Sequence, residues 1–454
     1  MAAITVRRST MVRPARETPR QRLWLSNLDL VAPRRHTPSV RFYRRRPDDG
    51  AGFFFDGERM RRALAEALVP FYPLAGRLRR GADGRLELDC NGEGALFVEA
   101  DAAGTAGDDY GDFAPTPELK RLVPAVECAD DVSAFPLLVL QVTYFKCGGV
   151  CLGVGTQHHV SDGLSAAHFI NSWSALCRGT RIASMPFVDR TLLRARDPPT
   201  PQFEHIEYHP AAPAALSSES TPPSATAVAI FKLNRADLGR LQSQLRPAGE
   251  GLLSTFAVVA AHVWRCACLA RGLRREQPTT MFTAVSGRRR LQPPLPDSYL
   301  GNAVFTAAAV AGAGAVAGGA LAGAAAAVQA AVDRVDGDYC RSALDYLELQ
   351  PDPSAVLRRG ASTFNGVNLR LISWAQMPVH DADFGWGRPV FMGPGGIARE
   401  GLGFVLPSAE GDGSMSVAIS LQAEHMDKFR KLIFELEGRI QGVLQKQQLA
   451  VLLL

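Results

Sequence analysis

Two apolar runs and the polar heptad that follows them constrain this chain more than any other feature. Pro136 to Phe145 is largely apolar, Lys146-Cys147-Gly148-Gly149 interrupts it, and Val150 to Gln157 resumes the pattern. Two such runs broken by a glycine pair specify a β-hairpin. The heptad is Gln157-His158-His159-Val160-Ser161-Asp162-Gly163. After it, Leu164, Ala167, His168 and Leu176 fall at helical spacing and Gly179 supplies a stop. His158 therefore stands where a strand hands over to a helix, a rigid place from which to aim an imidazole into a cleft.

Histidine serves as a general base because its ordinary pKa lies close to neutrality. Asp162, four residues on, can turn inward or outward, and Gly163 lets the chain turn sharply after it. Read alone, the same residues also fit a histidine pair packed in a core beside a turn.

At 454 residues the chain is too long for one ordinary core, which predicts two domains. Apolar residues make up 46% and charged residues 21%, ordinary for a soluble globular protein. A net charge of +5 gives no argument for a nucleic-acid partner, although local arginine clusters suit an anionic ligand. None of the 8 cysteines forms a CxxC pair, which fits reduced thiols. Met1 to Arg22 is studded with arginine and has no apolar centre, unlike a secretory signal, so a cytoplasmic protein is expected. Ala303 to Val332 carries no charge over a length that could span a bilayer. It is mostly Ala and Gly, however, and alanine offers little burial. A Gly/Ala-rich loop leading into a helix over Leu321 to Val332 is expected there, and no membrane association.

Along the chain, strands are expected at Ile4–Arg8, Leu28–Val31 and Val40–Tyr43. A helix is expected at Asp56–Leu68, with Met60, Leu64 and Leu68 on one face. Pro198 to Ala227, rich in proline and serine, is the best linker, dividing the chain into 1–197, 198–227 and 228–454. The second part reads as a strand at Val228–Leu233 and a helix at Thr255–Ala270, capped by Ser254 and stopped by Gly272. Strands follow at Met281–Val285, Ala303–Ala308, Leu369–Trp374 and Val417–Leu421, then a last helix at Met426–Leu444. The tail, Gly438 to Leu454, carries no functional reading.

His158-x-x-x-Asp162-Gly163 and Asp383-Phe384-Gly385-Trp386-Gly387 together resemble the two signatures of the plant BAHD acyltransferases. Further stretches look like the branch that acylates shikimate or quinate from hydroxycinnamoyl-CoA. These are Tyr72-Pro73-Leu74-Ala75-Gly76-Arg77-Leu78, Cys90-Asn91-Gly92-Glu93-Gly94, Leu193 to Pro199, Ala343 to Glu348 and Phe391 to Ile397. The resemblance runs from about Ile4 to about Glu437. It implies an α/β fold of two similar, chloramphenicol acetyltransferase-like domains, each a mixed sheet flanked by helices, with a solvent channel between them.

It also implies the chemistry. His158 would take a proton from an acceptor hydroxyl or amine, which then attacks the thioester carbonyl of an acyl-CoA with no covalent enzyme intermediate. The absence of a Gly-x-Ser-x-Gly elbow agrees with direct transfer. Asp162 is expected to turn from the channel and hold an arginine, with Gly163 supporting the turn. Asp383 is grouped with His158 and Trp386 as a catalytic candidate, although the resemblance implies a mainly structural role with Arg288 as its candidate partner. The Trp386 indole N–H would either face the developing oxyanion or merely pack. Lys232, Arg289 and Arg290 are candidates for the CoA phosphates. Thr37 and Ser39 match positions near the acyl and acceptor pocket.

Two departures bear on the acceptor. Relatives using shikimate carry an arginine at the position of Gln376, where it grips the acceptor carboxylate; a neutral amide makes no bidentate ion pair. Arg41, standing where relatives usually have tyrosine, is the candidate replacement. The usual Val-Asp-Gly-Arg stretch reads Val285-Ser286-Gly287-Arg288 here and lacks a carboxylate. His205 and His209, four apart, lack a third nearby ligand, so no metal is expected. No cofactor is expected, CoA thioester being a substrate. The expected protein is a monomer transferring p-coumaroyl, or caffeoyl or feruloyl, to a shikimate- or quinate-type hydroxyl. A neutral polyol such as glycerol, an amine, or silent acyl-CoA binding are the alternatives.

Overall fold

The computed structural model describes residues 3–46, 54–126, 131–208, 225–245, 253–352 and 366–436. The strands of the first part are β1 Thr5–Val12, β2 Arg22–Trp24, β3 His36–Tyr43, β4 Arg77–Arg80, β5 Leu86–Asp89, β6 Ala95–Ala102, β7 Leu138–Phe145 and β8 Val150–Gln157. Those of the second are β9 Thr226–Leu233, β10 Pro278–Ser286, β11 Val304–Gly312, β12 Leu369–Ser373, β13 Phe391–Pro394, β14 Leu402–Pro407 and β15 Met415–Gln422.

Two six-stranded mixed sheets result, in the orders β1-β6-β7-β8-β3-β13 and β11-β10-β12-β14-β15-β9. A small sheet, β2-β5-β4, sits beside the first. The hairpin is as expected: β7 and β8 pair antiparallel, Val142 opposite Leu152. Both strands are buried on both faces, which is why they read as continuous apolar runs instead of alternating ones.

The second half lends one strand to the first. β13 comes from the second part of the sequence but pairs with β3, Phe391 opposite Phe42, and so closes the edge of the first sheet. Each half has its own large core. One is built around β9, β10, β11, β15 and the Thr255–Arg271 helix; the other holds the Gly57–Ala67 and Gly163–Cys177 helices against β7 and β8.

Local chemistry explains most boundaries. The Thr255–Arg271 helix starts at Ser254, whose side chain accepts the Ala257 N–H, and stops at Gly272 in the left-handed conformation. The uncharged Ala/Gly stretch forms β11 and two helices, Ala313–Gly318 and Leu321–Asp333. Its small side chains let Ala324, Ala325 and Val328 pack directly on the second core. Among the described residues no helix is long and apolar enough to cross a membrane.

Leu28–Val31 is not a strand. Ser26 and Asp29 form a reciprocal capping box that starts a helix, Asn27–Val31. The last helix runs over Ala423–Leu432, and its expected extension to Leu444, like the Gly438–Leu454 tail, lies outside the described residues beyond 436. Two stretches that carried the resemblance clasp each other: the Asp345 carboxylate accepts the Arg196 backbone N–H at 2.8 Å, its Nε at 2.6 Å and the Thr200 N–H at 3.0 Å. That contact ties the start of the crossover segment to the second half.

Candidate active site

A cavity of about 1970 Å³ lies between the two halves. A pocket for one small ligand is usually about 300–1,000 Å³, so this one has room for two reactants. Its floor is the exposed face of the second sheet: Phe282 and Ala284 of β10, Thr306 of β11, Arg370 and Ile372 of β12, and Phe404 of β14. Phe282, Ala284 and Ser286 of β10 and Arg370 and Ile372 of β12 face the cavity, while Met281, Leu369 and Leu371 face the core.

His158 stands in the wall just past the end of β8, half-buried. Its backbone N–H donates to the Arg35 carbonyl at 3.1 Å, continuing the β3–β8 pairing by one residue. Its ring Nδ1 lies 3.2 Å from Asn302 Oδ1. The Asn302 amide nitrogen is already committed, at 2.9 Å to Asp29 Oδ1 and at 2.7 Å to the His158 carbonyl. The oxygen must therefore face the ring, which assigns the proton to Nδ1 and leaves Nε2 with its lone pair. Burial chiefly, and the Arg35 charge, hold His158 below its ordinary value of 6.5; Asp162 and Asn302 pull the other way without reversing it. At neutral pH the ring is an uncharged base.

Asp29 anchors this arrangement. It is fully buried, accepts from Ser26 and Asn302, and pairs with Arg190 at 2.8 Å, itself almost fully buried. Arg190 also donates to the Val160 carbonyl at 2.8 Å, inside the heptad. Asn302, Asp29 and Arg190 come from three distant parts of the chain, and no spacing in the sequence joins them.

Asp162 turns away from the ring and does two jobs. Its Oδ1 accepts the Ser165 N–H at 2.9 Å, capping the Gly163–Cys177 helix. Both its oxygens take the Arg288 guanidinium, at 2.8 and 2.9 Å, and Oδ2 also accepts the Ala303 N–H at 3.1 Å. Burial pushes this carboxyl up, but the Arg288 charge and these hydrogen bonds outweigh it and hold it below the usual range. The pair is a strap across the two halves beneath the base. Gly163 marks a close approach and not a left-handed turn: a Cβ there would come within 3.1 Å of the flexible end of the Met377 side chain, which would have to shift.

Arg288 is thus the partner of Asp162, and not of Asp383. The Asp383 carboxylate instead accepts the backbone N–H groups of Gly385 and Gly387 at 2.8 and 3.0 Å, and its carbonyl accepts from Arg178. Both glycines have φ near +100°, a conformation other residues resist. Trp386 lies outside the cavity lining. It is 7% exposed, stacked on Phe55 at 5.0 Å and covered by Arg59 at 4.9 Å, in the core of the first half. The catalytic expectation for Asp383 is corrected because its carboxylate is taken up by the backbone of its own turn, and the oxyanion expectation for Trp386 is corrected because the ring packs into the core.

Thr37 and Gln376 line the cavity, but Ser39 and Arg41 do not. Arg41 is 3% exposed, and its guanidinium reaches Ser39 Oγ at 3.3 Å. It cannot replace an arginine at position 376. Arg289 lines the cavity and is exposed, bonded to Asp297. Arg290 lines it too, but donates to the Val332 and Val335 carbonyls at the end of a helix, both at 2.8 Å. Lys232 lies off the cavity in an exposed pairing with Glu410, so it is corrected as a CoA contact. Ser286 Oγ accepts the Arg288 N–H at 3.4 Å, taking a turn contact where a carboxylate was expected.

His205 is buried with both nitrogens occupied, by Ser342 at 2.9 Å and Glu207 at 3.2 Å; His209 lies outside the described residues. No cluster fit to hold a metal occurs among the described residues.

Comparison with known proteins completes the site. A family model described as "Transferase family" matches residues 2–436. The chain is 70% identical to Hydroxycinnamoyltransferase 1 of Oryza sativa subsp. japonica over 444 residues, 95% of this chain and 100% of that one. It is 69% identical to a hydroxycinnamoyl-CoA:5-hydroxyanthranilate N-hydroxycinnamoyltransferase of Avena sativa, covering 95% and 99%. It is 55% identical to shikimate O-hydroxycinnamoyltransferase of Nicotiana tabacum, again covering 95% and 99%. Among solved structures, vinorine synthase matches with a TM-score of 0.69 at 22% identity, covering 94% of this chain and 96% of that one. F. graminearum TRI101, complexed with coenzyme A and deoxynivalenol, matches with a TM-score of 0.75 at 18% identity, covering 90% and 97%. Both share the two-sheet fold.

Proposed function

The chain belongs to the BAHD acyltransferases, and from that premise we propose that it transfers p-coumaroyl from CoA to the amine of a small, carboxylated aromatic acceptor. Hydroxycinnamoyl transfer from a CoA thioester to an acceptor is the activity of the family branch it falls in. The observation that carries the catalytic part is the His158 ring: neutral, fixed in one tautomer by Asn302, with Nε2 left toward a cavity large enough for two substrates.

The step follows from that geometry. An amine held against Nε2 attacks the thioester carbonyl carbon as its N–H proton passes to Nε2. The tetrahedral adduct collapses, the C–S bond breaks, and the CoA thiolate takes the proton back from the His158 imidazolium. Amide and CoA leave, and the ring returns neutral. Holding both reactants in one cavity supplies much of the rate, since it makes the encounter effectively unimolecular.

One observation favours an amine over the hydroxyl of shikimate or quinate. The relatives named for 5-hydroxyanthranilate N-acylation are 69% and 64% identical, against 55% for the one named for shikimate. Gln376 removes the guanidinium expected to grip shikimate at that place on the wall, but a carboxylated amine lacks the same grip there. Purified protein is incubated with p-coumaroyl-CoA and an equimolar mixture of 5-hydroxyanthranilate, shikimate, quinate and glycerol, and products are read by mass. The amide is expected to dominate. A dominant shikimate or quinate ester overturns the acceptor assignment, and binding without any product supports a silent protein.

A further inference from the structure

Resting on the carboxylated-acceptor reading above, we propose that Arg35 is the residue that grips the acceptor carboxylate beside His158. The two positions expected to do so are excluded by their chemistry or place: Gln376 is neutral, and Arg41 is buried off the cavity. The other guanidiniums on the wall are paired with carboxylates, bonded to backbone carbonyls or, for Arg34, exposed, and Arg399 has a partner of its own, which leaves Arg35 and Arg370.

Distance from the base separates them. In an ortho-amino carboxylate the acid group sits roughly one hydrogen-bond length from the reacting nitrogen. Its grip must therefore lie next to His158. Arg35 occupies that place: it stands opposite His158 just past the β3–β8 pairing, with the His158 N–H bonded to its carbonyl at 3.1 Å, so the two side chains share a face, and both line the cavity. Its own side chain makes no hydrogen bond to a described residue, and the Arg399 charge also bears on it. Arg370 instead reaches Thr306 Oγ1 at 3.3 Å, inside β11 and four residues past Asn302. A half-buried cation beside a base, with no hydrogen-bond partner of its own among the described residues, suits an anion in the cavity. A planar guanidinium suits a carboxylate held through two parallel bonds.

The test compares 5-hydroxyanthranilate with 4-aminophenol, the same amine without its carboxylate, in the wild type, Arg35→Gln, Arg35→Lys and Arg370→Gln. Arg35→Gln is expected to raise KM for 5-hydroxyanthranilate about ten- to a hundred-fold, the worth of a charge-assisted pair. Its preference for 5-hydroxyanthranilate over 4-aminophenol, in kcat/KM, falls by the same factor, and Arg35→Lys recovers part of it. The proposal is overturned if both amines lose equally, if KM for p-coumaroyl-CoA rises instead (a phosphate contact), or if Arg370→Gln alone shows the carboxylate-specific loss. Should the wild type acylate neither amine, the amine reading is what has failed, and calorimetric titration with benzoate decides the grip separately. Benzoate bound at least ten-fold more weakly by Arg35→Gln than by the wild type upholds it; equal binding ends it.

Discussion

The heptad ending in Gly163 and the pentapeptide Asp383–Gly387 share an outward form: each sets an acid within two residues of a glycine, with a ring-bearing residue nearby. In the fold they part. His158 sits at a strand end in the cavity wall, and its acid, Asp162, is spent on an ion pair and a helix cap beneath it. Asp383 closes a turn over two glycines and sends Phe384 and Trp386 into the first core, Phe384 against Trp173 at 4.7 Å. One motif presents chemistry; the other holds the chain of the second half onto the first just before β13 crosses over. The difference teaches that a reactive residue type becomes functional only where the backbone leaves it facing open space.

Breaking the heptad from below should cost most. Asp162→Ala strands a buried arginine and removes a cap, so it is expected to lower stability by about 3–5 kcal/mol in denaturant unfolding and to lose activity with the fold. Asn302→Ala leaves the strap intact but frees the ring to choose either tautomer. A roughly ten-fold fall in kcat is expected, the worth of one buried hydrogen bond, with KM values little changed. Trp386→Phe should do the reverse. It loses part of the stack on Phe55 and the Arg59 contact, lowering stability by about 1 kcal/mol, while kcat of the folded enzyme holds. A kcat loss matching that of Asn302→Ala would put the pentapeptide back at the reacting centre.

Acid should expose the remaining contrast. Burial pushes His159 and His262 down to about 4 from 6.5. The unfolded chain then binds protons between those values while the folded one does not, so stability is full above about pH 6.5 and falls as pH drops towards 4. A denaturant midpoint constant across that window would show that these rings are not held neutral.

Much of this was legible in the sequence. The β7–β8 hairpin, the helix after it, the Ser254 cap and the Gly272 stop follow from period and terminal chemistry. The position of His158 between a strand and a helix was legible from pattern, but its role as base came only with the resemblance carried by the two signatures. What escaped was set by tertiary contact. The Asn27–Val31 helix hid behind an apolar run, its capping box being the missed signal. Asn302, Asp29 and Arg190 meet only after both halves fold. Arg41 and Trp386 have the right chemistry on buried faces, and a strand or turn read in one dimension does not say which face is buried. Nothing in the sequence separates Arg35 from Arg34 beside it, yet in the fold Arg34 is exposed and Arg35 half-buried in the cavity wall.

His158→Ala, assayed with p-coumaroyl-CoA and the best acceptor, tests the central claim most directly. The account predicts a folded protein with an unchanged KM for the donor and a kcat lower by about 10²- to 10⁴-fold, the range of a positioned general base. Retention of kcat within a few-fold of the wild type would contradict it.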